Sequence, residues 1–361
     1  MRVRAGRLVL AVGLILLGMA TPVAAAPQHF KPIRLPADAR MHPGAQNEWW
    51  YFTGHLRDAR GHTYGFELTN FKFSGIRKLD PFSPVDTLYR IDFAITDEHA
   101  RKFHSLIQYL MPAPGKTILS TKGLKSRMDA GNGSLALDTL PGPGLAYRLR
   151  GQMKAGSLDL VVRTTRRPLL EGRNGVESIA NGYSYYYSLT NMQSSGTLTL
   201  GTHALAVTGL TWMDHQWGNW SWKDDKGWDW MAVQLANGTS FSLVNFISGH
   251  GQTFKYAIIS FPSGKQMLTA DARMSPLNRH WRSAATGTLY PAGWHVQVPV
   301  IGLDGIVLPT VPDQEMVDRS FEHVSYWEGS GRLTGTLSGA PITGLTYTEL
   351  VGYGKQGGFA L

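Results

Sequence analysis

Apolar and polar side chains alternate along residues 48–73 (EWWYFTGHLRDARGHTYGFELTNFKF), on both sides of the segment RDARGH. Alternation with a period of two residues predicts strands that turn one face toward a core, and RDARGH is typical of a hairpin turn. The same pattern returns along most of the chain, with Gly, Asn, Asp and Ser at hairpin spacing and no long amphipathic helix. The sequence therefore predicts an all-β chain whose antiparallel strands close into barrels or fold as sandwiches.

An internal repeat narrows this prediction. VTGLTWMDH at 207–215 matches ITGLTYTEL at 342–350 through a shared Thr-Gly-Leu-Thr, and the match aligns Asp214 with Glu349. Two weaker matches occur in the same order, SYYYS with SYWEG and WWYFTGHLRDARGHTYGF with WDWMAVQLANGTSF. Matches that keep one order along the chain predict two homologous β-domains in tandem. The predicted domains are residues 40–218 and 225–355.

The N-terminus has the pattern of a Sec-type signal peptide. A basic segment, MRVRAGR, precedes the apolar segment LVLAVGLILLGMA, which is too short to span a membrane comfortably, and TPVAAAP supplies small residues for cleavage. We predict a signal peptide of residues 1–25, cleaved after Ala25, and hence a periplasmic or secreted protein in a bacterium. An uncleaved N-terminal anchor is the alternative.

Charge and composition exclude several classes of function. The formal net charge is +9, but Lys and Arg are scattered along the chain. The sequence therefore shows no cluster of basic residues of the kind that binds nucleic acid. A peripheral attraction to anionic membranes is allowed, although solubility alone would account for the charge. The absence of Cys excludes disulfides, thiolate nucleophiles and Cys-ligated zinc. No P-loop, H-E-x-x-H or G-x-S-x-G motif is present and no histidines pair at metal-ligand spacing, so we expect neither a cofactor nor a metal.

Aromatic residues gather around a few polar groups. Residues 209–230 contain six of the chain's 11 tryptophans together with one Asp-His pair. Such a cluster is ordinary in a barrel core, but it also suits an apolar pocket that holds an acid. The candidate catalytic residues are Asp214, His215 and Glu48. The candidate ligand-binding residues are the aromatic side chains of these clusters: Trp49, Trp50, Tyr51, Tyr185, Tyr187, Trp212, Trp217, Trp228, Trp230 and Trp327.

Asp214 is the best single candidate for chemistry. On a strand, Trp212 and Asp214 share one face, while His215 and Trp217 share the other unless a bulge intervenes. Burial among indoles raises the pKa of a carboxyl, which allows it to donate a proton near neutral pH. Pairing with an arginine, or capping a turn, would instead lower the pKa of Asp214.

The chain resembles the AttH/carotenoid 1,2-hydratase family of lipocalin-like proteins in a series of segments between His42 and Gly354: HPGAQNEWWYFTGHL, GYSYYYSLTNMQSSGTL, VTGLTWMDHQWG, GWDWMAVQL, HWRSAATGTLYPAGW, DQEM, YWEGSGRLTG and YTELVGYG. The resemblance implies two lipocalin-like antiparallel β-barrels packed together. The best-characterised members add water across a terminal trisubstituted double bond of an acyclic carotenoid. More distant relatives hydrate prenyl groups on phenolic compounds or guide polyene cyclisations. The signal peptide favours the exported branch of the family.

The resemblance and the residues together suggest acid-catalysed hydration of a C=C bond without a cofactor. Asp214 would protonate carbon, and His215 or Glu48 would orient the water. Four aromatic faces would stabilise the cation by about 0.5–2 kcal/mol each: Trp212, Trp217, Tyr185 and Tyr187. The partner would be a hydrophobic isoprenoid, carotenoid or lipid. Two alternatives are a non-enzymatic periplasmic carrier of such ligands and a secreted hydrolase, for which no nucleophile motif is present.

Overall fold

The computed structural model describes residues 30–79, 85–112, 118–172, 174–179, 182–220, 225–248, 253–320 and 324–354, and nearly all of their regular structure is β-strand. The strands are, in chain order, β1 (Asn47–Asp58), β2 (Thr63–Ser74), β3 (Thr87–Asp97), β4 (Lys102–Leu110), β5 (Lys125–Asp129), β6 (Gly133–Thr139), β7 (Leu145–Met153), β8 (Gly156–Thr164), β9 (Leu169–Leu170), β10 (Val176–Ile179), β11 (Gly182–Leu200), β12 (His203–Asn219), β13 (Asp225–Leu235), β14 (Ser240–Ser248), β15 (Thr253–Ser260), β16 (Gln266–Thr269), β17 (Arg273–Pro276), β18 (His280–Arg282), β19 (Leu289–Pro291), β20 (Trp294–Val298), β21 (Leu303–Pro309), β22 (Glu315–Met316), β23 (Tyr326–Leu337) and β24 (Ala340–Val351). The short helices are a 3-10 turn at Ala37–Ala39, α1 at Ile76–Leu79 and a 3-10 turn at Pro299–Ile301. The prediction of an all-β chain is confirmed.

The strands form two large antiparallel sheets and one small ribbon. The first sheet has the order β4-β3-β2-β1-β12-β11-β8-β7-β6-β5, with β9 and β10 paired to β11. The second has the order β16-β15-β14-β13-β24-β23-β21-β20-β17, with β22 paired to β23, while β18 and β19 form the ribbon. The two orders correspond strand for strand from β4 to β6 and from β16 to β17. The tandem repeat seen in the sequence is therefore also a repeat of topology.

Each sheet curls around a hydrophobic core of its own. A Cβ added at Gly151 in β7 would lie 2.8 Å from the ring of Phe93 in β3, so the first sheet folds back until its strands meet across the core. The second core is built in the same way around Trp294 and Trp327, whose ring centroids are 5.9 Å apart. The two curled sheets have the near-barrel shape that the family resemblance predicts.

Burial patterns distinguish strands that touch one core from strands that lie between the sheets. In β8, buried residues alternate strictly with half-buried ones, because only one face reaches the first core. In β1 nearly every residue is buried, since Trp50 and Phe52 point into the first core while Tyr51 packs against Trp230 of the second sheet. The contact is close: a Cβ added at Gly65 in β2 would lie 2.8 Å from the Ser330 Cβ.

The strand β12 carries the Asp-His pair and keeps its alternation throughout. It pairs with β1 in one unbroken register from Val207 to Gly218, so no bulge changes the facing of Asp214 or His215. The register shift between β11 and β12 lies beside Asp214, where Leu189 and Met192 pair with Met213 and Thr211, and its extra residue is in β11 rather than in β12. The two neighbours therefore point to opposite faces of the first sheet.

The described residues from Pro32 onward form one compact unit. Among the described residues, no helix is long and apolar enough to cross a membrane. The predicted signal peptide, residues 1–25, lies outside the described residues. That residues 40–218 and 225–355 are separate domains stays a prediction.

Candidate functional site

The faces that the two sheets turn toward each other carry many acids, here called the inter-sheet carboxyls. The set comprises Glu67, Asp92, Glu171, Glu177, Asp214, Glu328 and Glu349. Within the described residues only Asp92 of this set is in an ion pair, through two hydrogen bonds of 2.7 and 2.6 Å from the Arg90 guanidinium. Burying so many ionised carboxyls beside one cation would be prohibitive, so most of them carry protons.

Asp214 lies in the dry setting that the sequence predicts. Its side chain is 3% exposed, and it accepts hydrogen bonds from Trp212 Nε1 at 2.6 Å and from the Tyr186 hydroxyl at 2.8 Å. No Lys or Arg of the described chain is within ion-pair distance of it. Desolvation raises the pKa of Asp214 to about 7, although hydrogen bonds from Ser188, Tyr186 and Trp212 pull it down. The carboxyl thus holds a proton near neutral pH, and the Tyr186 and Trp212 donors are placed to stabilise the anion left when that proton leaves.

Two further carboxyls of the set are half-buried and titrate in the same range. Desolvation raises the pKa of Glu177 to about 7 and that of Glu349 to about 7, and in both the charge of Asp214 adds to the effect. Glu177 accepts hydrogen bonds from the Tyr256 hydroxyl and from Gln216 Nε2. Glu349 Oε2 accepts one from Trp228 Nε1 at 3.0 Å.

The other carboxyls lie deeper and are held by hydroxyl groups. Glu171 accepts hydrogen bonds from Ser188 on the first sheet and Ser242 on the second, which ties the sheets together. The Tyr51 hydroxyl also donates to Glu328 Oε1, at 2.6 Å, across the space between the two sheets, here called the inter-sheet gap. Desolvation raises the pKa of Glu171 and of Glu328 well above the usual range, so both are neutral acids.

Aromatic rings fill the space beside these acids. The Trp230 ring meets Tyr51 edge-on, with centroids 5.5 Å apart, and Trp212 edge-on at 6.0 Å. Trp49 and Trp228 are half-buried at one side of this ring cluster. The inter-sheet gap therefore combines apolar ring faces with proton-bearing carboxyls.

The opposite face of β12 holds a different arrangement, here called the histidine cluster: His42, Glu48 and His215. His215 Nε2 and His42 Nδ1 lie 3.1 and 2.8 Å from the same oxygen, Glu48 Oε1, and the His42 backbone N–H donates to Glu48 Oε2 at 2.9 Å. Burial alone would raise the pKa of Glu48, but hydrogen bonds from His215 and His42 lower it. Desolvation lowers the pKa of His215 to about 4 against the attraction of Glu48. The cluster pairs an ionised carboxylate with a neutral imidazole.

Among the described residues, the histidine cluster is also the group that could bind a metal ion, since the ligand atoms of its three side chains lie within 4.8 Å of one another. Lys72 Nζ, however, lies 3.6 Å from Glu48 Oε2 and already supplies a positive charge. A divalent cation beside that ammonium group would be repelled. The geometry supports a hydrogen-bonded structural cluster better than a metal centre.

A surface cleft of about 400 Å³ opens at another edge of the interface, beside Glu98 and Arg332. Burial would raise the pKa of Glu98, but hydrogen bonding from His55 and Thr63, with the charge of Arg332, lowers it to about 2. Arg332 donates to Glu98 Oε2 at 2.7 Å. An acid held ionised in this way cannot donate a proton at neutral pH, so this cleft lacks the chemistry of the inter-sheet gap.

The structure brings together only some of the residues predicted as one site. The inter-sheet gap receives Trp49, Tyr51, Trp212, Asp214, Trp228 and Trp230. The core of the first sheet receives Glu48, Trp50, Tyr185, Tyr187, His215 and Trp217. Trp327 points into the second core and donates to the Pro312 carbonyl oxygen at 2.8 Å.

This separation corrects the expectation that Trp217, Tyr185 and Tyr187 stabilise a cation formed at Asp214. Those rings stack around His215 on the other face of the sheet, with Tyr185 and Trp217 centroids 5.2 Å apart. Likewise, His215 and Glu48 cannot orient a water for Asp214. The tyrosine of this run that does reach Asp214 is Tyr186, which alternation assigns to the opposite face from Tyr185.

A family model described as AttH-like matches residues 25–353 of the chain. Among curated proteins, dehydratase asqC of Emericella nidulans is 24% identical over 154 residues, which is 40% of this chain and 43% of that protein. The chain thus matches less than half the length of this curated relative.

Solved structures share the fold over nearly the whole chain. A Nitrosomonas europaea protein described as a candidate AttH is 27% identical with a TM-score of 0.75, over 90% of this chain and 98% of its own. Kievitone hydratase from Nectria haematococca has a TM-score of 0.71 at 17% identity, over 89% of this chain and 93% of its own. At that identity the likeness concerns the fold alone.

Proposed function

Because the chain belongs to the AttH-like family, as its sequence segments predict, we propose that it is a hydratase or dehydratase of a hydrophobic isoprenoid or polyene that acts without a cofactor. The observation that carries the proposal is the setting of Asp214. This carboxyl is almost fully buried, is unpaired with any cation of the described chain, and has a pKa near 7. It can therefore be a proton donor at neutral pH in a site that excludes bulk water.

The first step is transfer of the Asp214 proton to an alkene carbon. Protonation of a trisubstituted double bond leaves a tertiary cation at the other carbon. Trp212 Nε1 and the Tyr186 hydroxyl already donate to the two Asp214 oxygens, so the carboxylate formed in this step is stabilised where it stands.

The cation then needs surroundings that stabilise positive charge without reacting with it. The faces and edges of Tyr51, Trp212 and Trp230 supply such surroundings beside Asp214, at about 0.5–2 kcal/mol for each well-placed ring face. Attack of one water on the cation completes hydration. Removal of water from an alcohol runs through the same cation in reverse.

The names of two relatives support this reaction class. One curated relative is a dehydratase, and one solved structure is a hydratase. Addition and removal of water are two directions of one reaction, so a single acid and a single cation-stabilising site would serve both. A carotenoid is one substrate of the proposed class; other prenyl chains have the same terminal double bond.

The predicted signal peptide supports a periplasmic or secreted location, where the substrate would come from a lipid phase. Half-buried Trp49 and Trp228 give the site an apolar border suited to a long hydrocarbon chain. A hydrophobic small molecule is therefore the proposed partner. The protein would take this molecule from a membrane that it contacts peripherally.

The proposal is tested by incubating the purified protein with squalene and with geranylacetone, which share a terminal trisubstituted double bond, and detecting the water adduct by mass spectrometry. Asp214→Asn is expected to abolish the adduct while ligand binding, followed by tryptophan fluorescence, persists. Glu315→Gln is the matched control, because Glu315 is also buried but bonds to Ser283 and Tyr290 away from the inter-sheet gap. Binding without any adduct in the parent protein would favour a non-enzymatic carrier instead.

A further inference from the structure

We propose that Glu349 is the general base of the same reaction, so that two carboxyls at equivalent positions of the tandem repeat divide its acid and base roles. The inference rests on the proposed function and deepens it. Asp214 gives a proton to carbon, and Glu349 takes a proton from the attacking water. The equivalence of the two residues is structural as well as sequential, since β12 and β24 hold the same place in their sheets.

Glu349 has an oxygen that is free to bind water. Trp228 donates to Oε2, and this is the carboxyl's one hydrogen bond within the described residues. The side chain is half-buried, whereas Asp214 is 3% exposed and Glu328 is 0% exposed. One oxygen held by an indole and the other accessible is the arrangement that a base for water requires.

Glu177 is the competing candidate, and its hydrogen bonds argue against it. Both of its oxygens already accept bonds, Oε1 from the Tyr256 hydroxyl and Oε2 from Gln216 Nε2 at 3.4 Å. A water at Glu177 would have to displace one of these partners. Glu349 needs no such displacement.

The aromatic rings lie between the two carboxyls. Tyr51 is the direct cross-strand neighbour of Asp214, and Trp230 is the direct cross-strand neighbour of Glu349. The Tyr51 and Trp230 rings are in edge-on contact, with centroids 5.5 Å apart, so a cation held beside these rings has a carboxyl from each sheet as a neighbour.

The protons balance over one turnover. The Asp214 O–H bond breaks as a C–H bond forms, and the water oxygen then forms a C–O bond at the cationic carbon. One water proton passes to the Glu349 carboxylate, so the enzyme ends with its proton moved from Asp214 to Glu349. Transfer of that proton to solvent and uptake of another at Asp214 restore the starting state.

The electrostatics favour one proton on this pair near neutral pH. Both carboxyls titrate near 7, and the charge of Asp214 raises the pKa of Glu349. Two interacting acids of similar pKa lose their protons in two steps, so over an intermediate range one is protonated while the other is ionised. That state contains one acid and one base.

Deuterium exchange separates the two roles. In D2O, reversible protonation by Asp214 puts deuterium into unreacted geranylacetone at its terminal double bond, whether or not water adds. Glu349→Gln is expected to lower the rate of water addition by about 100-fold, since a general base contributes about 10²–10⁴-fold. Deuterium exchange into the alkene should stay within about threefold of the parent, because the acid step is intact. Asp214→Asn should lose both signals.

The outcomes are distinguishable from failure of the proposed function. If the parent neither adds water nor exchanges deuterium, the proposed function fails and the base assignment fails with it. If the parent does both and Glu349→Gln still adds water at the parental rate, or loses exchange as well, Glu349 is not the base.

Glu349→Asp, which keeps a shorter carboxylate, should recover part of the addition rate and also covers the case in which Glu349→Gln does not fold. Glu315→Gln again serves as the control, and each variant's thermal unfolding is recorded.

Discussion

Asp214 and His215 are neighbours in one strand, both almost inaccessible to solvent, and their surroundings shift their pKa values in opposite chemical senses. Asp214 faces a gap filled by rings and other acids, so desolvation dominates and its proton stays on. His215 faces Glu48, Tyr187 and Trp50 in the first core, so desolvation removes its proton and Glu48 remains ionised beside it. Burial thus favours the neutral form of both groups, which leaves a proton on the carboxyl and removes one from the imidazole. Of these two neighbours, the one on the inter-sheet face therefore holds a proton that it can donate.

The largest expected effect separates the two neighbours by activity. Asp214→Asn should lower the hydration rate by about 10³-fold, in the range of a lost general acid. His215→Gln should lower it less than about tenfold at temperatures below unfolding, because His215 lies behind the sheet. Rates of both variants with geranylacetone, each corrected for the folded fraction, measure the contrast. Equal losses would mean that the two faces act as one site.

The pH dependence of stability should differ in sign between the faces. Asp214 titrates at about 7 when folded and near 3.8 when unfolded, so the folded protein binds the extra proton between these values. The free energy of unfolding then falls as pH rises from about 4 to about 7, by on the order of 4 kcal/mol for this group. Asp214→Asn should flatten that fall in urea titrations across this range.

His215 should contribute the opposite slope. Its pKa is about 4 when folded and near 6.5 when unfolded, so the unfolded chain binds the extra proton between these values. Its contribution to the free energy of unfolding rises with pH from about 4 to about 6.5, by on the order of 3 kcal/mol. His215→Gln should remove this rise in the same titrations. A variant that left the slope unaltered would show that His215 is not the group responsible.

Removing one carboxyl from each face should also have unequal costs. Glu48→Gln leaves the buried Lys72 ammonium group without its counter-charge and should lower the free energy of unfolding by about 3 kcal/mol. Glu328→Gln replaces an acid that is already neutral and should cost less than about 1 kcal/mol. Denaturant unfolding of the pair at pH 7 is the measurement. Comparable losses would mean that Glu328 is ionised after all.

The smallest effects concern single tyrosine hydroxyls. Tyr51→Phe removes a 2.6 Å hydrogen bond to Glu328 and should cost about 1–2 kcal/mol of stability. Tyr187→Phe removes a 3.3 Å contact with His215 Nδ1 and should cost less than about 1 kcal/mol. Thermal unfolding of the two variants would rank them, and the reverse order would contradict the tighter tie assigned to the inter-sheet face.

Alternation along strands made much of the fold and part of the site predictable. It places Trp212 and Asp214 on one face and His215 on the other, as the unbroken β1–β12 register confirms. Alternation alone does not select the tyrosine that meets Asp214. The β11–β12 hairpin pairs Leu200 with His203, and this register, if continued, would place Tyr185 and Tyr187 on the face of Asp214. The register shift between Leu189 and Met192 sets Ser188 opposite Asp214 and brings Tyr186 to that face instead, and such a bulge is not visible in the alternation of the sequence.

The repeat was predictable in its strongest segment and misleading in a weaker one. Asp214 aligns with Glu349, and both strands occupy the same place in their sheets. Matching SYYYS to SYWEG by letters sets Tyr186 against Trp327, but the strand pairing sets Ser188 opposite Asp214 and Glu328 opposite Glu349. The true equivalence is therefore shifted by one residue, which exchanges the two faces of the strand.

Contacts between distant segments could not be predicted. Glu171 joins the sheets through Ser188 and Ser242, and Tyr51 joins them through Glu328. Neither follows from a local period, because each depends on how the sheets curl and dock. The geometry of such long-range contacts is set by the packing of the two sheets rather than by the spacing of residues in the sequence.

The shared strand order of the two sheets bears on how a two-carboxyl site could originate. A single ancestral unit with this order would have carried one acid on its last strand, and association with an identical copy would have brought two such acids to a common boundary. Duplication and fusion of the unit then freed each copy to change its own surroundings, indole and phenol donors around one side chain and an open approach beside the other. Division of labour between Asp214 and Glu349 would thus be an outcome of gene doubling, with no new ionisable group required.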